Sequence, residues 1–270
     1  MDDRTTRPRP HEDASARSHM AIAGRQNKGA PPVVIAQLGQ SLDGRIATPS
    51  GESKYINGPH ALDHLHALRA SVDAVVVGVG TICADDPLLT VRRVAGRHPA
   101  RVVIDPTGRA DPAARCFRND GTRRIVLRRT GVDAPVADGV EVAALDGDGP
   151  FAPAAVVAAL AARGLARILV EGGPSTLSAF MEADLVDTLH VFVSPVILGA
   201  GRIGLSRKAC DTLAQALRPT AHVQLFADGD VLFQCDLRRA APAASGAPDE
   251  REAQLSDEHP GQSSSLRVAG

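Results

Sequence analysis

The stretch Ile168-Leu169-Val170-Glu171-Gly172-Gly173-Pro174-Ser175-Thr176-Leu177-Ser178-Ala179 reads as a strand, a glycine turn and the start of a helix. The apolar run 168–170 suits a buried strand. It stops at Glu171, turns through Gly172-Gly173, and restarts at Pro174 with Ser175 and Thr176 in the first helical turn. Such a connection is a device for holding an anion. Glycines admit close approach, the first helical N–H groups lack intrahelical partners, and the helix dipole is positive there. A carboxylate at the C-terminal end of the strand stands where open α/β sheets place their ligands. The competing reading is a tight connection with no ligand, so the weight falls on what surrounds it.

The chain has 270 residues and a formal net charge of −1, which gives no electrostatic reason to expect nucleic acid or a membrane surface as partner. Residues 1–30 are rich in Arg, Asp, Pro, Ser and His, and residues 240–270 in Ala, Pro, Ser, Glu and Gln. Neither end can bury enough apolar surface to offset its ordering entropy, so both read as disordered tails. A single domain over 31–239 remains, about 210 residues and within the ordinary range for one domain. The N-terminal segment has no apolar h-region, and no window approaches a membrane span. Cys83, Cys116, Cys210 and Cys235 are far apart and form no CxxC, which supports neither a disulfide framework nor a zinc site. A cytoplasmic location is the expectation. With no Trp and one Tyr, the core must be aliphatic.

Outward from the opening stretch, short apolar runs alternate with helical patterns. Strands are expected at 33–36, 73–81 (with its exit loop), 101–105, 124–127 and 140–143. Helices are expected from Gly58-Pro59 to about Ala70, with Leu62, Leu65 and Leu68 at helical spacing, at 153–162, and from Pro174 to about Ala183. Asp43-Gly44 signals a turn. The run 187–198 is interrupted by Pro195, which argues for an edge strand or a bulge. Segments 222–226 and 231–237 flank Asp228-Gly229 as a hairpin. The pattern predicts an α/β domain with a mostly parallel sheet, flanking helices and an antiparallel C-terminal hairpin.

Several motifs compete for the chemistry. Gly199-Ala200-Gly201-Arg202-Ile203-Gly204 matches GxGxxG, but no βαβ unit opens from it, and it reads as a loop after an edge strand. His60 and His64 stand at i, i+4 with His66 nearby, yet the glutamate of HExxH is absent and no third ligand is evident, so they read as solvent-facing. Asp85-Asp86-Pro87 could be a pair of metal-binding acids or ordinary loop and capping residues. Arg69 and Arg92 each lie near an expected strand end, where a guanidinium can clamp a phosphate. Taken together, Ser53, Lys54, Arg69 and Arg92 are candidate anion binders, Glu171 a hydroxyl acceptor, and the Gly172-Gly173 helix start a seat for a second anionic group.

The segments SLDGRIA (41–47), GESKYI (51–56), LRA (68–70), DAVVVGVGTICADDPLLTVR (73–92), RVVID (101–105) and VEGGPSTLSAF followed by LVDTLHVFVSPVILG together resemble the pyrimidine reductase family of riboflavin biosynthesis. That family has a dihydrofolate-reductase-like fold, and the resemblance spans 32–237. It implies NADPH-dependent reduction of the ribosyl group of a phosphoribosylaminopyrimidine to a ribityl chain. It implies substrate contacts at Ser53, Arg69, Leu89, Arg92 and Glu171, with Arg69 and Arg92 on the phosphate. It implies cofactor contacts at Gly39, Tyr55, Thr81, Asp85, Gly173, Pro174, Ser175, Thr176, Leu177, Ser178 and Ala179. Asp85 and Glu171 are the candidate catalytic groups, and no metal is expected. Tyr55 stands where relatives often carry Trp, and Pro106 replaces a polar cofactor contact of some relatives. A homodimer through the later strands is implied as well. The thirty upstream residues lack the H-x-E…P-C-x-x-C signature of the zinc deaminase fused to many relatives, so reduction alone is expected. Two rival readings are a same-fold reductase acting on another pterin or pyrimidine, and a non-catalytic nucleotide-binding module.

Overall fold

The computed structural model describes residues 31–54 and 56–238. The expected tails at 1–30 and 240–270 lie outside the described residues, as does Tyr55. Strands β1 (Val33–Ser41), β3 (Ala74–Gly78), β4 (Ala100–Ile104), β5 (Arg124–Arg129), β6 (Glu141–Leu145), β7 (Arg167–Gly172) and β8 (Thr188–Ser194) form the parallel part of one sheet. The hairpin β10 (Thr220–Leu225) and β11 (Val231–Asp236) joins antiparallel to β8, giving the order β10-β11-β8-β1-β7-β3-β4-β5-β6. A separate two-stranded ribbon pairs β2 (Arg45–Ala47) with β9 (Arg202–Ile203).

Among the described residues, four α-helices cover the two faces of the sheet. α3 (Pro153–Ala161) and α4 (Pro174–Glu182) pack Val156, Leu160, Leu177, Phe180 and Met181 on one face, against Val34, Ala36, Val76, Val102, Ile125, Ile168 and Val170. α1 (Pro59–Ser71) and α2 (Val79–Asp85) pack Leu68, Val79 and Ile82 on the other, against Ile35, Val75, Val77, Val103, Val126 and Leu169. Alternate residues of each central strand thus enter opposite cores, which is why these strands read as unbroken apolar runs. Each fully buried aliphatic side chain among them contributes about 1.5–3 kcal/mol relative to exposure.

Four expectations are corrected. β8 is an interior strand between β11 and β1, and it ends at Ser194, so Pro195 terminates pairing instead of marking an edge. Residues 79–81, read as the exit loop of the strand, open a helix that runs Val79–Asp85, because the chain turns back over the sheet directly after Gly78. His64 and His66 are buried and only His60 faces solvent, while Leu62 is exposed. The helix is rotated by specific polar contacts: His64 Nε2 and His190 Nδ1 lie 2.8 Å apart, and His66 Nδ1 accepts the N–H of Arg92. Finally, the GxGxxG segment does more than follow a strand, since its Arg202–Ile203 supplies β9.

α1 lacks a side-chain cap of its own, with Gly58 at the N-cap. The turn of the distant hairpin supplies one. Buried Asp230 accepts the Gly58 N–H at 2.8 Å, and Asp228 accepts the His60 N–H and contacts its ring. A side chain at Gly58 would collide with Asp228. The hairpin thereby fixes the start of the helix that carries Arg69. We predict that Asp230→Ala, which removes this acceptor, destabilises the protein by about 1–3 kcal/mol in urea unfolding. A loss below about 0.5 kcal/mol, the size of an ordinary surface substitution, would show that the cap across the fold is dispensable.

Candidate active site

The glycine turn at the end of β7 has the geometry its sequence suggests. Gly172 adopts φ +113°, a region that favours glycine, and the Gly172–Gly173 peptide is cis. Gly173 is the N-cap of α4 and Pro174 occupies its first turn, where a missing N–H costs nothing. The Leu177 N–H bonds Gly173, whereas those of Ser175 and Thr176 find no backbone acceptor in the helix or the turn before it. The β3–α2 turn lies against it: a side chain at Gly78 would strike Thr176 Oγ1, and one at Gly173 would come within 3.1 Å of Thr81 Oγ1. Glycine at these positions lets two backbone turns close on each other.

Glu171 faces away from its neighbour Val170, on the side of Leu169, and meets α1. Arg69 Nε and Nη2 donate to its two carboxylate oxygens, both at 2.6 Å, and Arg69 Nη1 donates to the Thr90 carbonyl at 3.0 Å. Both side chains are only 7% exposed. Burial alone would pull the arginine's pKa down, but the charge and hydrogen bonds of Glu171 outweigh it and hold Arg69 above its ordinary value. A bidentate fork of this kind satisfies both partners and fixes their orientation.

Thr90 is shared. Arg92 Nη1 donates to Thr90 Oγ1 at 2.7 Å, so Arg69 and Arg92 grip one residue from two sides. The extended segment around them is held by imidazoles: His98 accepts the Val91 N–H and His66 the Arg92 N–H. Burial, then the positive charges of Arg69, Arg92 and Arg93, lower the pKa of His66 to about 4, so it stays a neutral acceptor at neutral pH. Arg92 itself is pushed below its ordinary value by burial and by the charges of Arg69 and Arg115. A cluster of cations therefore converges beside Glu171.

A cavity of about 590 Å³ runs along the C-terminal ends of the strands, within the usual size range of ligand pockets. Of the residues expected at the site, Gly39, Ser53, Thr81, Asp85, Glu171, Gly173, Pro174, Ser175, Thr176, Leu177 and Ala179 line it. The other described ones do not line it. Leu89 is buried in the core at φ +56°, and Ser178 turns its hydroxyl to the Ser206 N–H. Arg69 is engaged by Glu171 and the Thr90 carbonyl, and Arg92 is exposed and held by Thr90. Asp86, the second acid of the Asp85-Asp86-Pro87 step, accepts the Arg115 N–H and caps α2 in the left-handed region.

The cavity also has residues that the sequence did not single out as site residues. Arg202 reaches it from the β2–β9 ribbon, whose loop is anchored by Asp43. The Asp43 carboxylate accepts the Ser41 hydroxyl and the N–H groups of Leu198 and Gly199, which lowers its pKa to about 2. At the far end stand Ile104, Arg109, Phe151 and Pro153. The glycine turn, the start of α4 and a cavity of this volume lined from β7, β3 and the end of β4 could hold a dinucleotide.

The sequence profile of the RibD C-terminal domain matches residues 32–227. The chain belongs to the RibD C-terminal domain family. A 2,5-diamino-6-ribosylamino-4(3H)-pyrimidinone 5′-phosphate reductase from Methanothermobacter thermautotrophicus is 33% identical over 195 residues, covering 69% of this chain and 89% of that protein. The riboflavin biosynthesis protein RibD of Aquifex aeolicus is 33% identical over 174 residues, 63% of this chain and 48% of that protein. Among solved structures, a diaminohydroxyphosphoribosylaminopyrimidine deaminase/5-amino-6-(5-phosphoribosylamino)uracil reductase from Thermotoga maritima superposes with a TM-score of 0.65 at 28% identity, covering 76% of this chain and 56% of that one. The chain thus spans about half the length of these last two relatives. The RibD-domain fold explains the parallel sheet and the closing hairpin together.

A buried pair of this kind predicts an asymmetric response to mutation. Arg69→Met, which leaves the Glu171 carboxylate buried without its partner, is expected to cost about 3–5 kcal/mol in urea unfolding. Adding Glu171→Leu to that variant should recover most of the loss, because two apolar groups need no pairing. If the single variant unfolds like the wild type, the pair is more hydrated than its exposure implies.

Proposed function

We propose that this chain reduces the ribosyl group of a phosphoribosylaminopyrimidine to a ribityl chain in riboflavin biosynthesis, with NADPH as reductant. The observation that carries the reading is that Glu171 and the start of α4, three positions apart in sequence, line one cavity. On this reading Glu171 is the polar acceptor for a sugar and the start of α4 the seat for a phosphate. NADPH supplies a hydride from C4 of its nicotinamide. The ribosylamine opens to a C1′ imine, and hydride addition to C1′ with one proton on nitrogen gives the amine.

The chain's own groups bind, orient and exclude water around that step. The Ser175 and Thr176 N–H groups, with the Thr81 hydroxyl opposite, hold the cofactor's pyrophosphate. Glu171, fixed by Arg69, accepts hydroxyl or amino groups of the substrate. Ser53 and Arg92 take its phosphate, with Arg69 contributing charge from behind Glu171. Asp85, exposed in the cavity wall, positions the cofactor or relays the proton.

We further propose a homodimer through the outer face of the hairpin. Val223 and Leu225 of β10 are 53% and 73% exposed, Phe233 of β11 is 36% exposed, and the β-ladder sets Val223 beside Phe233 and Val191. An apolar sheet face left open at the end of the sheet suits a second copy of itself. Light scattering should give twice the 28.1 kDa chain mass, and Val223→Asp with Phe233→Asp should halve it; an unchanged mass in the variant would place the interface elsewhere.

The decisive assay follows NADPH oxidation with the deaminated and non-deaminated ribosylaminopyrimidine phosphates side by side. Turnover of at least one is expected, and binding of NADPH with no oxidation by either would overturn the reading. Arg92→Ala should raise KM for the phosphorylated substrate about ten- to a hundredfold, as expected for one charge-assisted contact, and change KM for NADPH much less. Equal losses for both ligands would remove Arg92 from the substrate phosphate.

A further inference from the structure

Two arginines line the cavity without a carboxylate partner among the described residues: Arg109 and Arg202. They stand at opposite ends. Arg202 comes from the ribbon beside Gly51, on the β1 side, with Ser53 and Gly39. Arg109 lies in the loop after β4, on the other side of the α4 start, with Ile104, Pro106 and Phe151. Strand order decides which of them meets which end of a dinucleotide. The start of α4 follows β7, and Glu171 and Ser53 mark the reacting end toward β1. A cofactor whose pyrophosphate sits at α4 and whose nicotinamide points to Glu171 must run its adenosine the other way, over β3 to β4. That is two strand spacings, roughly 10 Å. The wall it meets there is apolar enough for a purine, and its one cation is Arg109.

Arg109 is also built into place. The fully buried Asp105 carboxylate accepts the N–H groups of Arg109 and Ala110, both at 2.9 Å, and Arg128 lies 3.9 Å from it. Gly108 at φ +72° makes the turn that precedes Arg109. The backbone is thus rigid while the guanidinium is left exposed to the cavity. A planar fork carried on a held backbone and open to the cavity suits a phosphate monoester.

We propose that Arg109 binds the 2′-phosphate of the cofactor's adenosine and sets the preference for NADPH over NADH. The inference rests on the cavity being a nicotinamide-dinucleotide site. Calorimetric titration of the full-length chain tests it without turnover, using NADPH, NADH, 2′-phospho-ADP-ribose and ADP-ribose. Arg109→Ala should weaken NADPH and 2′-phospho-ADP-ribose about ten- to a hundredfold, and the two ligands without the 2′-phosphate less than about threefold. Arg109→Lys should fall between, and Arg202→Ala should leave the NADPH-to-NADH ratio as in the wild type. An unchanged ratio in Arg109→Ala, or a collapse of the ratio in Arg202→Ala, would overturn the assignment of Arg109. Failure of the wild-type chain to bind any of the four would instead overturn the reading of the cavity itself.

Discussion

The Arg69–Glu171 fork is the contact on which the site depends, because it joins three segments that the sheet alone would leave independent. α1 brings the guanidinium, β7 brings the carboxylate, and the Thr90 carbonyl takes the remaining guanidinium edge. Desolvating two charges is expensive, and mutual attraction repays it only when the geometry is good and further hydrogen bonds are made. Here the bidentate contact and the Thr90 bond give each of the three guanidinium nitrogens a partner. The consequence is local rigidity. Glu171 holds one orientation toward the cavity, and the Thr90–Arg92 segment cannot drift from α1. Leu89 adds to this: its backbone sits in the left-handed region, which costs a leucine of order 1–3 kcal/mol, and its buried side chain anchors it there.

Much of this architecture is legible from residue pattern. Runs such as Val75-Val76-Val77 and Ile168-Leu169-Val170 carry the parallel sheet, because both faces of those strands are covered and no polar residue interrupts them. The glycine turn and the starts of α1, α3 and α4 are equally plain, each with a proline in the first turn. What pattern does not carry is the pairing of polar groups across the fold. His64 and His66 look like solvent-facing residues on a helix with three leucines. They are buried because His190 and the Arg92 N–H, 126 and 26 positions away, provide partners. Likewise the proline at 195 gives a true stop but a false edge, since it says where β8 ends and nothing about which strands flank it.

The site shows the same division. Residues on the strand–turn–helix device were readable, because the turn's own chemistry names them. Arg69 was readable as a cation near a strand end, but its partner was not, since no spacing rule links positions 69 and 171. Arg109 and Arg202 come from a loop and a two-residue strand, where no periodicity operates. One signal did exist for Arg109. An acid closing β4, followed by Gly108, is the pattern of a carboxylate that collects the N–H groups of its own turn, as Asp105 does.

Placing the acid two residues ahead of the helix N-cap Gly173 has a geometric consequence. Along β7, alternate residues face opposite sides of the sheet, so Glu171 shares the α1 side with Leu169, while Ile168 and Val170 face α4. The chain then crosses the C-terminal end of the strand at Gly172-Gly173 and presents backbone N–H groups from the α4 side. One strand end therefore offers a carboxylate from one layer and a positive helix terminus from the other, separated by the thickness of the turn alone. A ligand spanning the strand ends meets both without either layer moving. A bulkier residue at 172 or 173 would need a forbidden φ or a displaced Thr81, so the glycines hold the two layers at that separation.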